Sequence, residues 1–197
     1  KYAKLISEMA WKVGKDGKIL VDELPIYETR TEIVEGMRFR ARYTAGYQIS
    51  NEKREAVLED TPTLITNYRL ESGIELFRPQ DNASIIDDLK GSGIQKITIF
   101  APSFGEQAMR VFDKLKKNLG FHILAVQIPA ITTGEIEDLA VYTGSKFIST
   151  GAEKESSRGI SKDLNKVTKD DLGFAKKIVV SLTGDALVIG GKGDKEE

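Results

Sequence analysis

The chain has 197 residues, 40% of them hydrophobic, enough to bury a substantial core in one domain with a short appendage. Lys and Arg number 29 against 30 Asp and Glu, so no single-sign field exists to attract nucleic acid or an anionic membrane surface. With no cysteine and a single histidine, His122, the sequence excludes disulfides, thiolate nucleophiles, cysteine-ligated zinc and a histidine-rich metal site.

In chain order, Tyr2, Leu5, Ile6, Met9, Ala10 and Val13 recur at helical spacing and predict an amphipathic helix that Gly14 ends. A turn at Lys15-Asp16-Gly17 leads to an extended stretch, Lys18-Ile19-Leu20-Val21, and strand pattern returns over residues 32–39. Further strands are expected at 63–66, 74–77, 96–100, 121–126, 146–149, 178–180 and 186–189. Helices are expected at about 82–90, 105–118, 135–143 and 169–177, the last two opening on acidic residues that suit a helix N-terminus. Within the second of these, Ala108, Val111, Phe112 and Leu115 form a core stripe, with Met109 and Asp113 on the adjoining face. The order is mixed α/β, with a polar loop at 150–165 and a glycine-rich edge at 190–193. No apolar run reaches the roughly 18 to 20 residues that span a bilayer, and the N-terminus is amphipathic rather than signal-like. A cytoplasmic segment is expected. The chain opens mid-pattern without a Met and closes on Lys195-Glu196-Glu197, which fits a piece of a longer protein.

Catalytic chemistry is not legible. Gly91-Ser92-Gly93-Ile94-Gln95-Lys96 precedes a strand and lacks the spacing of a phosphate loop, so it reads as a turn. Asp87 and Asp88, like Glu135, Glu137 and Asp138, sit where charge is solvated or complements a helix dipole. His122 alternates with apolar neighbours as a structural strand residue does. Asn82-Ala83-Ser84 is a formal glycosylation sequon that arises by chance in a chain without secretory features. An α/β enzyme needs a cluster of convergent polar groups, and none stands out.

Five ordered blocks resemble the apical domain of group I, GroEL-type chaperonins over nearly the whole chain. Lys4-Leu5-Ile6-Ser7-Glu8 with Lys12-Val13-Gly14-Lys15-Asp16-Gly17 resembles the intermediate-domain helix and its KVG-KEG turn. Val34-Glu35-Gly36-Met37-Arg38-Phe39 resembles the VVEGMQF strand, and residues 121–129 are similar to the strand ending in AVKAP. Asp138-Leu139-Ala140, Thr143-Gly144 and Phe147-Ile148-Ser149 resemble the DIA-x-x-TGG-x-x-IS block, while residues 168–177 resemble TLEDLGQAKR.

The resemblance implies a β-sandwich flanked by helices, a three-layer β/β/α fold of the swivelling apical-domain type. It divides the chain into an intermediate-domain-like helix and strand at 1–31, an apical domain at 32–189 and a hinge at 190–197. It further implies an apolar groove between two adjacent helices that captures non-native polypeptide or the loop of a co-chaperonin lid. The implied polypeptide-binding residues are Tyr43, Ala45, Tyr47, Gln48, Ala83, Ile86, Met109, Asp113 and Lys114, with Ile86 and Met109 exposed toward one groove. The segment itself is expected to use no cofactor, to catalyse nothing and to be mainly monomeric. ATP and Mg would belong to the parent protein, a homo-oligomeric ring, since no Gly-Asp-Gly-Thr-Thr motif occurs here.

The departures are specific. Gln48, Asp113 and Lys114 stand where the family has large apolar residues, and Ala130-Ile131-Thr132-Thr133 replaces its Gly-Phe-Gly connection. Insertions occur around 69–77 and 150–161. A divergent member of the family, such as a viral or otherwise specialised chaperonin, fits these features. So does a dedicated interaction module of the same fold that binds one partner.

Overall fold

The computed structural model describes residues 2–13, 36–52, 54–80, 83–128, 133–149, 159–181 and 184–193. The helix stop at Gly14, the turn and strand at 15–21, the connection 130–132, Asn82, the loop at 150–158 and residues 194–197 lie outside them. The chain divides into two compact units, 1–35 and 36–197. In the first, the predicted helix is α1 (Tyr2–Val13), which carries Trp11 at 90% exposure.

In the second unit one hydrogen-bonded sheet is organised around a long strand, β3 (Ala56–Thr66). Its first part pairs antiparallel with β8 (Gly173–Val180), which pairs with β9 (Asp185–Gly191), which pairs with β1 (Gly36–Arg40). Its last part pairs parallel with β4 (Lys96–Ala101) on one edge and β6 (Phe147–Ser149) on the other. Beyond β4 come β5 (His122–Gln127), parallel, and the short antiparallel β2 (Arg42–Tyr43); beyond β6 comes β7 (Gly159–Ser161). The parallel strands are joined by α2 (Ile85–Gly91), α3 (Glu106–Leu119) and α4 (Thr133–Thr143).

Strand periodicity explains why this sheet carries two cores. In β4 and β5, Ile97, Ile99, Ile123 and Ala125 join α2 and α3 in one core, while Phe100, Leu124 and Val126 enter the other. The second of these cores is closed by α4 and by Ala175, Ile178, Val180, Ala186 and Val188 of the antiparallel strands. Phe39 on β1 and Phe100 on β4 have three strands between them along the sheet, yet their rings meet edge-on at 5.8 Å. The sheet therefore folds over on itself, giving antiparallel strands, parallel strands and the α2–α3 helices as three layers, the expected β/β/α arrangement.

The pairing of β8 is interrupted at Lys176 on both of its edges. Asp60 in β3 (φ 46°) and Gly190 in β9 (φ 64°) both lie opposite Lys176, at one level across three strands. A Cβ at Gly190 would stand 2.7 Å from the Lys176 Cβ, so glycine is required there.

Three predicted elements are corrected. The polar loop expected at 150–165 contains, in its described part, the strand β7 and the start of a 3-10 turn, Leu164–Lys166. The helix expected at 169–177 is only a 3-10 turn, Lys169–Asp171, followed by the interior strand β8. Pairing with β3 and β9 on both edges outweighs the local helix-start signal at Asp170-Asp171. The strand expected at 74–77 is the 3-10 turn Ile74–Leu76, placed after Gly73 at φ 81°.

Candidate polypeptide-binding site

The helix α3 is set by its apolar spacing. Ala108 and Phe112 are fully buried, with Val111 and Leu115 partly buried on either side of them, as the core stripe predicts. Gly120, at φ 64°, ends the helix in the left-handed conformation that glycine adopts without penalty. Met109 lies on one flank, partly buried, where the Thr44 hydroxyl donates to its Sδ at 3.1 Å.

Thr44 is brought there by β2, whose residues Arg42 and Tyr43 pair with Gln127 and Val126 of β5. The turn that follows, Gly46–Gln48, is tied by the Gln48 side chain. Its carboxamide oxygen accepts the backbone N–H of Thr44 at 3.0 Å and of Ala45 at 3.2 Å, while Nε2 donates to the Ile123 carbonyl at 3.5 Å. Gln48 is 1% exposed. It is a satisfied internal clamp, which corrects the expectation that it presents polarity to a groove.

The remaining expected residues separate. Tyr43 packs against the core between the two sheet halves, on the opposite side of the parallel strands from α3. Ala45, partly exposed, precedes the turn in extended conformation, and Tyr47 lies within that turn. Ala83 is half-buried and accepts the Arg78 N–H at 2.6 Å. Asp113 pairs with Lys117 at 2.6 Å, and Lys114 is exposed. Glu106 and Arg110 form a second pair along the same helix at 3.2 Å, so the outer face of α3 is charged.

Ile86 is a correction. The sequence places it one position away from the core-facing Ile85 and Leu89, but all three are buried, Ile86 to 2% exposure. The helix begins at Ile85 after Ser84, whose N–H donates to the Asp87 carboxylate at 2.8 Å, and the chain N-terminal to it packs alongside. Among the described residues of this unit, large apolar side chains are instead exposed at Ile49 (38%), Ile74 (70%), Leu119 (48%) and Val141 (37%). The alternation around Ile74 suggested a half-buried strand, so the sequence did not distinguish it.

Among the described residues, the pKa shifts have local structural causes. His122 is pushed below the ordinary histidine pKa by burial and then by the charges of Lys116 and Lys96. Glu75 is held below the carboxylate range: burial would raise it, but the amides of Ser72, Glu75 and Glu71 and the Ser72 hydroxyl outweigh burial. Among the described residues no group of His, Asp and Glu could hold a metal ion. Among them, no helix is long and apolar enough to cross a membrane.

This three-layer arrangement is chaperonin-like in fold. Among solved structures, the chain is similar to the chaperonin gp146 from the bacteriophage EL 2 (Pseudomonas aeruginosa), determined in the presence of ATP-BeFx. The TM-score is 0.65 at 17% sequence identity, over 98% of this chain and 35% of that one. The likeness is one of fold, and the chain spans only that share of the chaperonin's length. No protein-family model matches the sequence.

Proposed function

We propose that this chain is the polypeptide-binding apical segment of a chaperonin, and that it captures non-native protein without catalysing a reaction. The observation that carries the reading is the meeting of the 42–48 segment with Met109 on α3, at the Thr44 hydroxyl. Two separate sequence blocks, each assigned to binding by resemblance, converge on one edge of a chaperonin-like fold.

In the longer protein, ATP and Mg would be held outside this segment and a homo-oligomeric ring would present several copies to one client or to a co-chaperonin lid. Each copy binds weakly. Two or three anchors the size of Met109, at about 1.5 to 3 kcal/mol each, leave little after ordering costs, so capture depends on avidity across the ring.

A second reading, an interaction module with one dedicated partner, is favoured by the charged outer face of α3 and the internal role of Gln48. Titration of fluorescently labelled denatured proteins, with competition by defined peptides, separates the two. General capture predicts that unrelated unfolded chains compete at micromolar to millimolar Kd. Binding of one sequence alone would establish the second reading, and no binding of any unfolded chain would refute the first.

A further inference from the structure

Residues 70–78, between β3 and α2, contact the N-terminal ends of α3 and α2. Leu70, fully buried, bridges Phe104; its N–H donates to the Ser103 carbonyl at 3.1 Å and its carbonyl accepts from Gly105 at 2.8 Å. The Glu71 carbonyl takes the N–H of Ala108, in the first turn of α3, at 3.3 Å. Gly73 then rests on α3, where a Cβ would lie 3.4 Å from the Ala108 Cα and 3.5 Å from the Val111 Cβ.

At the far end, Leu76 is buried, Phe77 bridges Ser84 and the Arg78 N–H donates to Ala83 at 2.6 Å. The Arg78 guanidinium pairs with Asp88 of α2. Ile74 stands at the exposed apex. The segment, turned at Ile74–Leu76, thus makes contacts of the kind a bound peptide makes: backbone hydrogen bonds at both ends, apolar anchors at Leu70 and Leu76, and one charge pair.

We infer that residues 70–78 are a built-in occupant of the surface between α2 and α3, one that client polypeptide must displace before Ile86 and its apolar neighbours can be reached. This rests on the polypeptide-binding reading and adds its regulation. Apparent client affinity is reduced by the fraction of molecules with the segment displaced, so an open fraction of about a tenth costs about tenfold.

Two perturbations test it on the full chain. Gly105 has φ −76° and ψ 161°, which alanine adopts readily, but an added Cβ would lie 2.3 Å from the Glu71 carbonyl oxygen. Gly105→Ala should therefore loosen the segment and tighten binding of a denatured, labelled client about fivefold or more, with an unchanged circular dichroism spectrum. The second is the pair Gly73→Cys and Val111→Cys, whose Cβ separation of 3.5 Å suits a disulfide in a chain with no other cysteine. Oxidation should weaken client binding at least fivefold, and reduction should restore it, both states carrying the same strain at position 73.

Equal binding by oxidised and reduced protein, or failure of the pair to cross-link, overturns the inference while the client binding observed leaves the proposed function standing. If Gly105→Ala binds no more tightly while remaining folded, the inference is likewise overturned. Absence of client binding in every form overturns both.

Discussion

Asp171 tests the electrostatics of the fold most directly. It is 2% exposed on the turn before β8 and its carboxylate accepts from Lys146 Nζ at 2.9 Å, from the Lys162 ammonium, and from Thr168 N and Oγ1 at 2.9 and 3.1 Å. Burial by itself would raise its pKa, but Lys162, the Thr168 amide and Lys146 outweigh burial and hold it well below the usual carboxylate range. Asp171→Asn keeps the shape and removes the charge. Losing one partner of a buried ion pair costs about 3 to 5 kcal/mol. Here the lysine side chains remain 49% and 26% exposed, so solvent screening lowers the expected cost to about 2 kcal/mol.

The sign of the pH dependence follows from the depressed folded pKa. The stabilisation is fully present above the unfolded aspartate value of about 3.9 and is lost as pH falls toward the folded value. Over the roughly 1.4 units from 3.9 to 2.5, proton uptake favours the unfolded state by about 1.9 kcal/mol, enough to erase the difference. Urea unfolding should therefore show a midpoint lower by about 1 M for Asp171→Asn at pH 7, with an unchanged m-value, and nearly coincident curves at pH 2.5. A gap that is absent at pH 7, or equally large at both pH values, refutes the reasoning.

Met109→Glu should weaken client binding by about 1 to 3 kcal/mol and cost about 1 kcal/mol of stability, because its side chain is partly buried beside the core and touches Thr44. Phe112→Ala should do the reverse, costing about 3 to 5 kcal/mol in denaturation while leaving affinity per folded molecule unchanged. Replacing Asp113 and Lys114 together with valine should raise affinity for unfolded chains in the same titration, at about 0.3 to 0.5 kcal/mol for the lost Asp113–Lys117 surface pair. His122 has a depressed folded pKa, so its contribution is fully present above about 6.5 and declines as pH falls; His122→Leu should flatten stability between pH 7.5 and 5.5. Calorimetry should detect no stoichiometric ATP binding by this chain, and a measurable one-to-one heat would overturn that expectation.

Local repetition was enough for much of the fold. The 3.6-residue spacing of Ala108, Phe112 and Leu115 specified α3 and its buried face, and the β-rich runs at 96–100 and 121–126 announced β4 and β5. Resemblance assigned residues of the 42–48 segment and of α3 to one site, and the structure brings Thr44, a residue it did not name, against Met109. What spacing left open was decided by partners distant in the chain. Residues 173–180 became a strand because β3 and β9 offered hydrogen bonds on both edges. Gln48 turned inward because three backbone groups, those of Thr44, Ala45 and Ile123, converge on its carboxamide. Ile86 was buried, with Ile85 and Leu89, in the core that Leu70 and Leu76 from an earlier segment also enter. Helical and strand periods state which face of an element is apolar, but what covers that face is a contact between remote segments, and only the tertiary structure supplies it.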